Sequence, residues 1–311
     1  MTQETQLWLR KVSLLLVKDQ DILDLSEMHI KFRVNQADTE APNNASIRVY
    51  NLSDETITRI SEFQQVVLQA GYESQFGVIF KGTVVQYRVG REDSLNSYLD
   101  ILASDGDTAY CFGVVNTTLE KGAKVIDAVK AAVGSMNEHG VTEGYVATGT
   151  GGVLPRGKVL FGMAKDYIRR GAFTLGASWS IQDGKVNIIP LDGYKPSQAV
   201  DLNVATGLVG IPEQTQNGIN FQSLMNPRLS VGTAVRIDNR VINQLIQRDQ
   251  TAAPIAFNQY TGLQLLAKVS RDGLYRLFVV EHEGDTRGQA WHSHCVCLAV
   301  DPSSNKVKPY G

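Results

Sequence analysis

Strict apolar/polar alternation at both ends of the chain, interrupted in the middle by helical spacing, is the feature that most limits what this sequence can fold into. In His29-Ile30-Lys31-Phe32-Arg33-Val34, the residues Ile30, Phe32 and Val34 share one face, because successive side chains of a strand point to opposite sides. Residues 45–50 alternate again. An apolar strand that begins at Leu7, Leu9 and Val12 runs through Leu14 and Leu16. Strands with one dry face must pack on a second layer or close on themselves, which predicts a sandwich or barrel. Further strands are expected at 66–70, 78–89 and 98–103, with Gly71, Gly77, Gly82 and Gly90 at turns or bulges. One short helix near 54–62 interrupts them. Ser53 can cap it, Asp54 and Glu55 suit its first turn, and Ile57 and Ile60 give its apolar stripe.

The middle of the chain follows another rule. Val125, Ile126, Val129 and Val133 recur at helical spacing and Gly134 follows as a stop, so a helix is expected over 124–133. A second helix is expected over 161–174, with Met163, Tyr167 and Ile168 as its apolar side. The glycine-rich run 148–152 reads as a loop. Asp183-Gly184 between two alternating runs, 178–182 and 185–188, is a strong hairpin signal. The last third returns to β: strands at 218–221 and 234–237, a loop over 240–259, a hairpin of 265–270 and 275–281 turning at Asp272-Gly273, and a closing strand over 291–299. Residues 47–52 and 219–224 share the pattern Ile-x-apolar-x-polar-Leu, a weak internal echo.

Composition narrows the function classes. A length of 311 residues predicts two or three domains. The hydrophobic fraction of 43% and the net charge of −2 fit a folded chain and exclude the strongly basic balance of a nucleic-acid binder. The first ten residues lack a basic leader segment, and no apolar run approaches the ~20 residues of a membrane helix. Three cysteines, Cys111, Cys295 and Cys297, give no disulfide framework and fit a reducing cytosol.

Signatures of catalysis are missing. The sequence holds no phosphate-binding Gly-x-x-x-x-Gly-Lys-Ser/Thr loop, no Gly-x-Ser-x-Gly elbow, no His-Glu-x-x-His and no Cys-x-x-Cys. Asp105 with Asp107, and Glu281, Glu283 and Asp285, could form acid/base pairs. The simpler readings are a turn with a helix cap for the first, and a loop with a local Asp285–Arg287 pair for the second. No catalytic or cofactor-binding residue is nominated and no cofactor is expected. The one suggestive cluster is His282, His292, His294, Cys295 and Cys297. On a strand, His292 and His294 share one face and the cysteines the other, which argues against one four-ligand zinc site. His282, His292 and His294 remain weak metal candidates. Trp8, Trp179 and Trp291 are expected to anchor one core each.

Two segments carry a resemblance. The first runs from Asn43-Asn44-Ala45-Ser46-Ile47-Arg48-Val49-Tyr50-Asn51-Leu52-Ser53-Asp54-Glu55-Thr56 through Ala70-Gly71-Tyr72 to Phe80-Lys81-Gly82. The second joins Gly218-Ile219-Asn220-Phe221, Asn226-Pro227, Gly273 with Tyr275, and His282-Glu283-Gly284-Asp285-Thr286-Arg287-Gly288 followed by Trp291. Together they resemble the baseplate hub proteins of contractile-tailed bacteriophages. The Leu154-Pro155-Arg156-Gly157-Lys158 turn and the 179–184 hairpin fit the inserted middle module of that family.

The resemblance implies a mainly β, α+β fold with two tail-tube-like β-barrels and a small inserted α/β module. The expected division is 1–112 for the first barrel, 113–205 for the insertion, 206–301 for the second barrel and 302–311 for a flexible tail. It also implies a homotrimer whose six barrels join a six-fold tail tube to a three-fold spike. Tube protein, spike protein and other baseplate subunits would be its partners. Phage DNA would pass through the lumen without sequence recognition, and the chain would sit in the virion tail after assembly in the host cytoplasm, without membrane insertion. A tail-associated cell-wall hydrolase, a hub of a related contractile secretion apparatus, and a metal-binding hub with the His/Cys strand at its trimer axis are the alternatives.

Overall fold

The computed structural model of the protein describes residues 7–147, 152–243, 270 and 272–300. The first β region contains β1 (Arg10–Lys18), β2 (Asp21–Asp24), β3 (Ile30–Ala37), β4 (Asn44–Tyr50), β5 (Gln65–Tyr72), β6 (Gln75–Arg91) and β7 (Ser97–Ser104). They pair antiparallel in the order β3-β4-β7-β6-β5-β1-β2. The inward residues, among them Leu14, Ile30, Phe32, Ile47, Leu68 and Ile101, join in one cluster. Each fully buried aliphatic side chain of this kind contributes roughly 1.5–3 kcal/mol. Helix α1 (Asp54–Ile60) starts where expected: Ser53 Oγ accepts the Thr56 N–H at 3.2 Å, and Ile60 is buried.

The middle elements are α2 (Asp107–Phe112), β8 (Val114–Leu119), α3 (Val125–Ser135), β9 (Thr142–Val146), β10 (Lys158–Met163), α4 (Ala164–Thr174), β11 (Ala177–Gln182) and β12 (Lys185–Pro190). Val129, Val133, Ile168, Trp179 and Ile188 centre their core. At the β11–β12 turn, Asp183 (φ 54°) and Gly184 (φ 71°) are both left-handed, the geometry a tight two-residue hairpin requires.

Three local expectations need correction. Gly134 lies inside α3 rather than after it, and the chain leaves the helix at Met136, which is fully buried. Residues 161–163 are strand, because they ladder with β8, so α4 begins at Ala164. Residues 105–107 do not form a side-chain-capped turn: α2 starts behind Gly106 without a side-chain cap, and Asp105 turns inward. The glycine-rich loop at 148–151, most of the expected 240–259 loop, the 265–269 strand and the 302–311 tail lie outside the described residues.

The second β region holds β13 (Val200–Leu202), β14 (Leu208–Thr215), β15 (Gly218–Leu224), β16 (Ala234–Ile237), β17 (Leu274–Asp285) and β18 (Trp291–Ala299) around its own cluster, with Phe221, Val235, Tyr275 and Leu277 at the centre. β17 runs past the expected end at residue 281 because it has three partners. Residues 274–276 pair with β16, residues 279–285 pair with β3, and nearly its whole length pairs with β18. The two β regions therefore share one 13-stranded sheet. The chain is mainly β, as expected, and carries one large, mostly antiparallel sheet. Two elements cross the expected internal boundaries: Ala109 of α2 packs in the middle core, and β13 pairs with β16.

The tryptophans divide unevenly. Trp179 anchors the middle core, but Trp8 is 72% exposed. Trp291, although carried by the last strand, enters the first core, edge-on to Phe32. Gly284 faces Trp291 on one side and Phe32 on the other, and a Cβ there would lie 2.3 Å from the Phe32 ring. The close approach of β17 to these rings thus requires glycine at 284.

Candidate functional site

Three parts of the chain meet at a buried polar junction. Asp38 directly follows β3, Ser178 and Ser180 lie on β11, and Arg276 lies on β17. Asp38 and Arg276 are fully buried, with Arg276 Nη2 3.1 Å from Asp38 Oδ2. The hydroxyls of Ser178 (2.6 Å) and Ser180 (3.0 Å) donate to the Asp38 carboxylate. Arg276 Nη1 donates to the carbonyls of Pro190 (2.8 Å) and Gly193 (3.3 Å). Arg276 Nε and Nη2 make no hydrogen bond, so the contact with Asp38 is ionic rather than an aligned fork. Burial lowers the Arg276 pKa and Asp38 opposes that shift, yet a guanidinium stays charged. Beside the pair, Asn43 Nδ2 donates to Gln182 Oε1 (2.7 Å) and Gln182 Nε2 donates to the Ala37 carbonyl (2.9 Å). Charges this well enclosed do not meet a substrate. Their chemistry is mechanical: they fix how the first β region, the middle and the second β region sit together.

A polar cleft of about 280 Å³ opens where the β11–β12 turn meets β6, lined by Lys81, Asp105, His139, Asp183 and Lys185 among others. Asp105 Oδ1 accepts the Gly184 N–H at 2.8 Å. Burial raises its carboxyl pKa to about 6 against the hydrogen bond, and the Asp183 carboxylate adds to the rise. Raised carboxyls in clefts are the groups that acid/base catalysis uses. Here the carboxyl holds the hairpin turn, which makes it an anchor.

The raised pKa has a measurable consequence. The folded state holds the Asp105 proton more tightly than the unfolded chain, whose ordinary value is 3.8. The resulting stabilisation is present below about pH 4 and is lost as pH rises through about 6. Asp105→Asn keeps an acceptor for Gly184 and removes the ionisation. It is expected to raise the unfolding free energy by about 1–3 kcal/mol at neutral pH and to add little near pH 4. Urea unfolding of both proteins at the two pH values checks this, and an equal difference at both would contradict it. The buried His282, whose pKa burial lowers to about 4, contributes to both proteins alike and cancels in the difference.

The C-terminal histidines separate by strand face. His282 is buried and shares a 2.8 Å hydrogen bond between its Nδ1 and Ser293 Oγ. Cys295 and Cys297 are also buried, and burial pushes both thiols up. His292 and His294 lie on the opposite face, as their spacing predicted, with ring centroids 4.7 Å apart. His282 is therefore not brought together with them. Glu283 takes its place, because the β17–β18 register sets it directly opposite His292, a pairing the sequence alone does not reveal. Asp285 accepts the backbone N–H of Arg287 (2.9 Å) and pairs with His29 (2.8 Å) rather than with the Arg287 side chain.

No protein-family model matches the chain, and no curated protein matches it. Solved structures do. A 43 kDa tail protein of prophage MuSo2 from Shewanella oneidensis superposes with a TM-score of 0.58 at 8% identity, covering 97% of this chain and 100% of that one. A tail protein from Neisseria meningitidis MC58 gives 0.57 at 9% identity, covering 94% and 97%. A component of the type VI secretion system of E. coli, itself structurally similar to the T4 bacteriophage tail proteins gp27 and gp5, gives 0.52 at 9% identity, covering 91% and 76%. At such identities the likeness is one of fold, and it extends over nearly the whole chain: this protein has the fold of those tail proteins.

Proposed function

We propose that the chain is a structural hub subunit of a contractile phage tail baseplate. It trimerises so that three chains present six β lobes to a six-fold tube above and a three-fold spike below. Other baseplate subunits surround it in the virion tail. The observation that carries this reading is the fold shared end to end with tail proteins. The 13-stranded sheet supports it, because fusing two β lobes edge to edge through β3 and β17 gives one chain two tube-like surfaces in a fixed relation. The division into two β lobes and an inserted module belongs to the same proposal, with edges nearer residues 105 and 200 than 112 and 205. Val85, Val89 and Leu102 stand exposed along the β6–β7 ribbon, apolar surface of the kind neighbouring subunits cover.

The likeness to the type VI secretion component favours a second reading, the corresponding piece of a contractile secretion apparatus. Both readings assign a structural, non-enzymatic role, and both differ from a cell-wall hydrolase, which would clear peptidoglycan on its own. The test is solution mass by light scattering. A particle near 102 kDa, three times 34.1 kDa, is expected. A stable dimer, or a monomer at concentrations of about 0.1 mM, would count against the trimer.

A further inference from the structure

On the outer face of β17 and β18, Glu283, His292 and His294 offer ligand atoms that all lie within 4.8 Å of one another. From this geometry we infer that the three side chains form a binding site for a divalent first-row transition cation, of which zinc is the probe. His292 Nε2 stands 3.6 Å from Glu283 Oε2. Two ligands on a tetrahedral zinc, each about 2.0–2.1 Å from the metal, are about 3.3 Å apart. This pair is thus already close to coordination spacing, and His294 closes the remainder by side-chain rotation.

The strands hold the site in place. His292 and His294 are two residues apart, so β18 points them to the same side. Antiparallel register places Glu283 opposite His292. Arg33, the cation nearest in register to Glu283, gives its Nε to Glu281 instead, and His292 is the ion-pair partner recorded for Glu283 among the described residues. Trp291 N–H reaches His292 Nδ1 at 3.2 Å, which turns Nε2 toward Glu283. Zinc on Nε2 would place the proton on Nδ1 and give up that weak contact.

The donor set decides the class of ion. Two imidazole nitrogens and one carboxylate suit zinc, nickel, copper or ferrous iron, whereas calcium and magnesium need oxygen-rich shells. Three ligands leave one tetrahedral position open to water or to a donor from another molecule. The buried His282, Cys295 and Cys297 take no part, since they face the core.

Metal-stripped full-length protein titrated with zinc chloride against a chromophoric chelator tests the site. One zinc per chain is expected. Glu283→Gln, His292→Ala and His294→Ala should each weaken binding by at least about 10-fold, the effect that even outer-shell changes produce at metal sites. Cys111→Ser and His139→Ala, which alter the exposed thiol and an imidazole of the middle elements, should leave it unchanged. Because the three ligands face outward, their variants should keep the wild-type circular dichroism spectrum, and a fourth variant, His294→Gln, repeats the test with a polar side chain. No binding up to about 1 mM zinc, or binding that survives all the ligand variants, would overturn the inference.

Discussion

Replacing Arg276 by methionine alone is expected to destabilise the protein by about 3–5 kcal/mol. The substitution takes the ion-pair partner from fully buried Asp38 and leaves it two serine hydroxyls and the more distant Lys195 as compensation. The cost comes from the stranded carboxylate more than from the lost attraction, because a buried pair recovers only part of its desolvation. Removing both charges, as Asp38→Asn with Arg276→Met, should therefore be less damaging than Arg276→Met alone. Asn can still accept from Ser178 or Ser180. Urea midpoints of the single and double variants check this. A single variant within about 1 kcal/mol of wild type would show that the junction carries little energy. Since the junction ties β3, β11 and β17, limited proteolysis of Arg276→Met should also cut first between the middle elements and the second β region.

Trp291→Ala is the second large effect, expected at about 3–5 kcal/mol. Trp291 is carried by β18 but buried in the first core, where its ring meets Phe32 edge-on at 5.7 Å. Its Nε1–H donates to the Gly71 carbonyl at 3.3 Å, and the Arg10 guanidinium stacks over its outer face at 5.7 Å. Truncation would leave a large cavity in the seam that joins the two β regions. Trp291→Phe keeps most of the packing and loses the hydrogen bond, so it should cost less than half as much. Thermal unfolding of the three proteins measures the series. If the alanine variant melted with wild type, the seam would not depend on this ring.

Both predictions concern long-range contacts, and those contacts mark the limit of what could be read from sequence. Ile30, Phe32 and Val34, or His292 and His294, declare their faces through a period of two, so β3 and β18 were legible. So was the β11–β12 hairpin, because Asp183-Gly184 supplies the two left-handed residues its turn requires. Helix α2 was not legible: it has six residues, no side-chain cap and a single buried residue, Ala109. The β3–β17 pairing joins residues about 250 positions apart, and nothing local in either strand specifies it. Its trace in the sequence is Gly284, which reads as a loop residue until Phe32 and Trp291 are seen on either side.

The site was legible to the same degree. Spacing placed His292 and His294 together and the cysteines opposite them, but not Glu283, whose position depends on register between strands. Spacing also could not reveal that His282 turns inward to Ser293. Asp38 and Arg276 were indistinguishable from surface charges, since burial of an ion pair is a property of the assembled core. Trp8 illustrates the opposite error: a large aromatic is not a core anchor merely by being large.

In the proposed function, one chain supplies two tube-like lobes and three chains close a ring. Electron microscopy of the purified assembly, averaged without imposed symmetry, tests it most directly. A closed ring with three-fold symmetry and six lobes around an open centre is expected. A two-fold particle, an open filament or a ring with one lobe per subunit would contradict it.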